Sequence, residues 1–245
     1  MSKVTIITGG TSGIGRGIAE KILANSAADD ILYVSFGHNR KQAQEFLCAQ
    51  SEADQQKIRL IQADMSSYEE MMNFVSRIKK ETDHIDWLIN NVGISTYAKY
   101  EDYTFEEWSK IVNTNLSVPV FLVKELRPVI SEGGSILFTG SYAGQQAYSS
   151  SLVYGVTKSA IHFLTKSLVK ELEPKQIRVN AIAPGFIETS WHKNRTSESY
   201  ERINRKIALH RFGEITEVAD MAYEILKNGY MNGSIVDIHG GYDYF

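Results

Sequence analysis

Short apolar, β-branched runs alternate along the chain with longer segments whose apolar positions recur at helical spacing. The runs at 4–7, 31–36, 58–61, 87–89, 136–138, 179–182 and 235–238 predict strands. Several are apolar without interruption, the pattern of strands covered on both faces. The stretches 13–27, 39–51, 66–81, 104–131, 153–173 and 216–228 predict helices. Seven strands alternating with six helices predict an α/β fold with a doubly wound, mostly parallel sheet flanked by helices. One interval breaks the rhythm. Residues 185–214 are polar, charged and long for a connection. They read either as a solvated insertion with a surface helix over 198–209, or as a lid at about 186–212 over a site at the strand ends.

Composition narrows the class. A chain of 245 residues, 43% hydrophobic, has enough apolar material for the core of one domain, or of two small ones. A net charge of -3 argues against a general nucleic-acid binder. Cys48 is the sole cysteine, so an internal disulfide or a cysteine-based zinc site is excluded. The histidines show no ligand spacing, and no metal is expected. No run approaches the roughly 18 apolar residues of a membrane span. The N-terminal apolar stretch is too short for a signal-peptide core. A cytoplasmic protein is expected.

The first predicted strand runs into Thr8-Gly9-Gly10-Thr11-Ser12-Gly13-Ile14-Gly15 and then a helix. Glycines admit a pyrophosphate to the backbone, and the N–H groups and dipole of a helix N-terminus favour its charge. The same glycines also suit a simple turn. At the end of the second strand an acid would bind a ribose hydroxyl, whereas a base would bind a 2′-phosphate. The sequence there is Ser35-Phe36-Gly37-His38-Asn39-Arg40, without a carboxylate, which favours NADP(H) over NAD(H). Alternatively, Arg40 is an ordinary first-turn residue.

Tyr154 and Lys158 stand four apart on a predicted helix, so phenol and ammonium share a face. A cation beside a phenol lowers its pKa and makes an acid/base group. With 13 tyrosines, about one such pair is expected by chance, and Tyr223 and Lys227 repeat the spacing. Context separates the two. Ser141 stands at the end of a predicted strand before Tyr154, whereas His210 occupies the equivalent place before Tyr223. The second pair reads as structural.

Thr8-Gly9-x-x-x-Gly13-x-Gly15, Asn90-Asn91-Val92-Gly93, Asn115, Ser141, Tyr154-x-x-x-Lys158 and Pro184-Gly185 together resemble the short-chain dehydrogenase/reductases. The likeness is to the single-domain branch that includes the 3-oxoacyl-acyl carrier protein reductases, and it spans essentially the whole chain. It implies a Rossmann-type fold and hydride transfer between a nicotinamide cofactor and a carbonyl or secondary alcohol. By this resemblance Gly9, Thr11, Ser12, Gly13, Ile14 and Gly15 surround the pyrophosphate, and His38, Asn39 and Arg40 face the ribose end. Asp64 and Met65 lie by the adenine. Asn90, Asn91 and Gly93 support the sheet and the ribose side, although Asn90 and Asn113 also read as backbone braces. Pro184, Gly185, Ile187 and Thr189 lie against the nicotinamide. Asn115, Ser141, Tyr154 and Lys158 form the catalytic set, with Tyr154 as acid/base, Lys158 and the positively charged oxidised nicotinamide lowering its pKa, Ser141 orienting the carbonyl and Asn115 holding a relay water.

Tyr97, Tyr100, Tyr103, Tyr148, Phe186 and Trp191 flank the expected pocket; of these Tyr148, Phe186 and Trp191 join Ser141 as substrate residues. Aromatic walls suit an apolar or cyclic carbonyl compound. Glu132 and Lys175 occupy turns where carrier-protein reductases tend to present basic residues, which weakens a dedicated 3-oxoacyl thioester reductase. A catalytically silent dinucleotide-binding regulator is the alternative from another class. The resemblance also implies a homodimer or homotetramer through helices 104–131 and 153–173.

Overall fold

The apolar runs become seven strands of one sheet: β1 (Val4–Ile7), β2 (Ile31–Phe36), β3 (Ile58–Gln62), β4 (Ile85–Asn90), β5 (Ile130–Thr139), β6 (Arg178–Pro184) and β7 (Ile235–Ile238). The computed structural model describes residues 2–147 and 151–242. Strand order is β3-β2-β1-β4-β5-β6-β7, and every pairing is parallel. Parallel strands need covered faces, and the two main apolar clusters lie one on each side of the sheet's alternating residues. Ile6 and Ile7, adjacent on β1, belong to different clusters.

The helices are α1 (Gly13–Leu23), α2 (Arg40–Cys48), α3 (Glu52–Lys57), α4 (Tyr68–Glu81), α5 (Phe105–Val112), α6 (Val118–Leu126), α7 (Leu152–Leu172), α8 (Ser197–Asn204) and α9 (Ile215–Lys227). Two differ from the apolar pattern's expectation for physical reasons. The stretch 39–51 ends at Cys48, and Ser51, accepting from the Asp54 N–H, caps the separate α3. The long helix at 104–131 is interrupted by a wide π turn over Asn113–Ser117, where the Val118 N–H reaches back to the Asn113 carbonyl. Pro119, lacking an N–H, cannot supply the α-helical bond to the carbonyl of Asn115.

The polar interval at 186–212 has a core of its own. Phe186, Ile203, Ile207 and Phe212 are buried together, with Tyr200 and Tyr242 against them. A bridge between Ile187 and Gly213 closes its base. It is a packed cap with only the short α8, rather than a solvated loop with a helix to residue 209. Among the described residues no helix is long and apolar enough to cross a membrane.

Candidate active site

The strand order turns back between β1 and β4, and a parallel sheet opens a crevice at the carboxyl ends of such strands. The glycine turn lies there. Gly13 has φ +52°, a conformation that side chains resist, and its open face looks onto the Thr189 methyl at 3.7 Å. A Cβ on Gly15 would sit 2.4 Å from both the Gly9 carbonyl and Asn91 Nδ2, so only glycine permits this packing. Ser12, the residue before α1, makes no side-chain cap bond, which leaves the first-turn N–H groups facing the turn. These features fit a dinucleotide pyrophosphate.

Asn91 joins this turn to the chemistry end. Its Nδ2 donates to the carbonyls of Thr8 (3.1 Å) and Gly9 (3.2 Å), while its Oδ1 accepts from the Thr139 hydroxyl at 3.2 Å. Val92 packs its Cγ2 against the Gly9 backbone, so its added bulk is absorbed under the turn. Asn113 braces the backbone by donating to the Ser66 carbonyl. Asn90 is buried, and its Nδ2 has no partner.

At the ribose end, Arg40 opens α2 and its Nε donates to Gln62 Oε1 at 2.7 Å. Asn39 caps that helix. The exposed His38 lies 3.2 Å from Asp64. Burial opposes ionisation of Asp64, but the Ser66 N–H and hydroxyl and His38 outweigh it and hold the carboxyl below its usual range. Met65 and Thr11 are buried, Met65 with its side chain in the core. Pro184 ends β6, Gly185 bonds to Ile238, and Ile187 is buried at the base of the cap.

The catalytic candidates converge across the end of β5. Lys158 is 3% exposed, and its Nζ donates to the Thr139 carbonyl at 2.6 Å. The Ser141 hydroxyl accepts from the Ala143 N–H at 3.2 Å and lies close enough to the Tyr154 phenol to favour its ionised form. Asn115 is clamped: Oδ1 accepts from the Ile94 N–H at 2.8 Å, and Nδ2 donates to the Ile94 carbonyl and the Thr157 hydroxyl. The Thr157 hydroxyl donates in turn to the Tyr154 carbonyl. A Cβ on Gly93 would fall 3.4 Å from Lys158 Nζ and 3.6 Å from Asn115 Oδ1, so this bare backbone borders both groups.

In the protein alone, burial outweighs the nearby ammonium at the phenol. The Lys158 ammonium stands 5.5 Å from the Tyr154 ring centre and is committed to Thr139. Burial therefore governs the phenol and pushes its pKa up, with the Ser141 hydroxyl pulling the other way. Burial also lowers Lys158 to about 8.

Trp191 stands over the site, its ring 5.9 Å from that of Tyr154. Phe186 instead faces the cap's interior, against His192, Phe212 and Tyr242. Tyr97 and Tyr100 are exposed on the rim, and Tyr148 lies outside the described residues. Thr139, Thr157 and His162, which hydrogen-bond to Lys158, to Asn115 and Tyr154, and to Ser141 respectively, carry no spacing signal in the sequence. Among the described residues no cluster of His, Cys, Asp or Glu could hold a metal ion.

Fold and site together define a dinucleotide-dependent oxidoreductase. The family model described as Enoyl-(Acyl carrier protein) reductase matches residues 9–243. The 3-oxoacyl-[acyl-carrier-protein] reductase FabG of Aquifex aeolicus is 32% identical, with 98% of this chain and 96% of that protein covered. Carbonyl reductase family member 4 of Danio rerio is also 32% identical, over 98% of each chain. Among solved structures, a Burkholderia cenocepacia short chain dehydrogenase in complex with NADP superposes with TM-score 0.89 at 23% identity, covering 99% of this chain and 98% of that one. The chain belongs to the short-chain dehydrogenase/reductase family. It is an NAD(P)-dependent oxidoreductase that interconverts a carbonyl and an alcohol.

Proposed function

We propose that Tyr154 is the acid/base of this reaction and that the substrate is a small apolar or cyclic carbonyl compound, free rather than carrier-bound. The observation that carries the reading is the convergence of Ser141, Tyr154 and Lys158 at the end of β5, beside the glycine turn. When bound, the nicotinamide supplies or accepts the hydride. Tyr154 gives its proton to the developing alkoxide in reduction and takes it back in oxidation. Its raised pKa keeps that proton in place at neutral pH. Ser141 orients the carbonyl oxygen beside the phenol. Lys158, lowered to about 8, can pass a proton on near neutrality and restore the phenol. Both amide hydrogens of Asn115 are engaged, so a water-holding role falls to its carbonyl, whose α-helical donor Pro119 removes.

Residues 186–212 form the substrate lid, with Trp191 against the reacting phenol. The free-carbonyl reading is supported at the rear of the sheet. The Lys175 ammonium is committed to the carbonyls of Arg127, Pro128 and Ile130, and an acid, Glu132, stands near the other turn. NADP(H) is the preferred cofactor, with Arg40 as the 2′-phosphate partner. Exposed Phe105, Phe121, Val156 and Phe163 on α5, α6 and α7 support a homodimer, or a tetramer built on it. The exposed thiol of Cys48 suits the reducing cytoplasm.

A panel of ketones, an acyl thioester and the matching alcohols, followed at the nicotinamide absorbance, tests the reading. A free carbonyl compound should turn over better than the thioester, and NADPH should bind more tightly than NADH. Arg40→Ala should narrow the cofactor gap. Equal affinities in the unaltered protein defeat the NADP assignment, and thioester preference defeats the substrate assignment.

A further inference from the structure

Helix α7 carries one more polar side chain in line with the catalytic pair. Tyr154, Lys158 and His162 stand four residues apart and share a face. His162 is buried one turn beyond Lys158, and a buried imidazole needs a partner. Its Nε2 accepts a long hydrogen bond, 3.4 Å, from the Ser141 N–H. The ring also lies flush against Gly140, where a Cβ would come 2.3 Å from Nε2 and 2.8 Å from the Ile182 carbonyl. Three consecutive residues at the end of β5 are thus held from one helix. Thr139 is held by Lys158, Gly140 by the His162 ring, and Ser141 by His162 at its backbone, with its hydroxyl held by the Ala143 N–H beside the Tyr154 phenol.

An acceptor Nε2 requires the neutral ring with its proton on Nδ1. The charged groups around it are Lys158 and Lys166 on its own helix and Asp237 on β7. Burial, and then the Lys158 charge, depress His162 to about 4 against a smaller opposing pull from Asp237. The ring therefore stays an acceptor across the neutral range.

We propose that His162 is a positioning residue for the reaction: a neutral acceptor that fixes the Ser141 backbone and, through it, the hydroxyl facing the Tyr154 phenol. This rests on the assignment of Ser141 and Tyr154 given above. Leucine at 162 would fill similar space but leave the Ser141 N–H buried without an acceptor. Glutamine offers a carbonyl oxygen at comparable reach.

The test compares His162→Leu and His162→Gln, each in the unaltered and the Ser141→Ala background. His162→Leu should lower kcat on the order of 10- to 100-fold, the scale of a small misplacement near reacting atoms. Dinucleotide Kd should stay within about twofold, and His162→Gln should restore most of kcat. On Ser141→Ala, His162→Leu should add no more than about a twofold loss, since residues acting as a unit are not additive. Without substrate, an NMR titration of ring-labelled Tyr154 should move upward in His162→Leu and return in His162→Gln. Equal losses in the two variants, full additivity on Ser141→Ala, or an unmoved Tyr154 titration would overturn the proposal. Should the unaltered protein turn over no carbonyl compound, the reaction assignment fails while the tyrosine titration still decides the positioning role. If His162→Leu does not fold, His162→Met, which adapts more readily to a core gap, makes the same comparison.

Discussion

Two tyrosine–lysine pairs with identical spacing sit on two helices, and they have opposite characters. On α7, Lys158 is buried, committed to a backbone carbonyl and pushed to about 8. On α9, the Lys227 ammonium lies 5.1 Å from the Tyr223 ring centre, half-exposed and 3.4 Å from Glu224. Tyr223 packs edge-on against Trp87 of β4, with Lys21 also near its face. The α7 phenol meets a serine hydroxyl at a strand end; the α9 ring meets an indole on a strand's flank. Spacing decides only that two side chains can be neighbours. What they border decides whether the neighbourhood is chemistry or packing.

Paired substitutions test that distinction. Tyr154→Phe should lower kcat by roughly 100- to 10,000-fold, the usual worth of a positioned acid/base, while dinucleotide binding persists. Tyr223→Phe should leave turnover unchanged, and substantial activity in Tyr154→Phe would break the contrast. Lys158→Met should follow, on the order of a 100-fold loss in kcat, against no loss for Lys227→Met.

The pH dependence of stability gives a third comparison. Lys158 has a folded pKa of about 8 against an ordinary 10.5, so across that window the unfolded chain binds a proton that the folded chain does not. Its contribution makes stability rise with pH from 8 toward 10.5, by about 3 kcal/mol in total. Denaturant unfolding of Lys158→Met should lack this rise, and Lys227→Met should keep it. A parallel pH profile for Lys158→Met and the unaltered protein would count against the buried ammonium. The smallest effect belongs to the packing pair. Tyr223→Ala should cost about 1–2 kcal/mol of stability through the lost ring contact with Trp87, with kcat unaltered.

Much of this contrast was legible before any coordinates. All seven strands fall where the β-branched runs lie, and the inner ones read most clearly because a doubly covered strand must be apolar on both faces. The strand end before Tyr154, absent before Tyr223, already set the two pairs in different surroundings. The pH logic was not legible: spacing shows that a cation is near, but not that burial outweighs it at the phenol. The π turn was hidden because a wide turn keeps helical periodicity on either side of Asn115. The cap's interior was hidden for a different reason. Phe186, Ile203, Ile207 and Phe212 are too sparse among charged neighbours to form a readable stripe, and they meet only once the segment folds back.

That separate interior has an evolutionary consequence. A substitution at Ile203 or Phe212 alters the packing inside the cap while leaving the two clusters that hold the sheet intact. Ile187 and Thr189 tie the cap to the sheet and the glycine turn, whereas its inner cluster can vary apart from them. If residues 186–212 are the substrate lid proposed above, new preferences can accumulate there one residue at a time, each costing only what that small cluster loses.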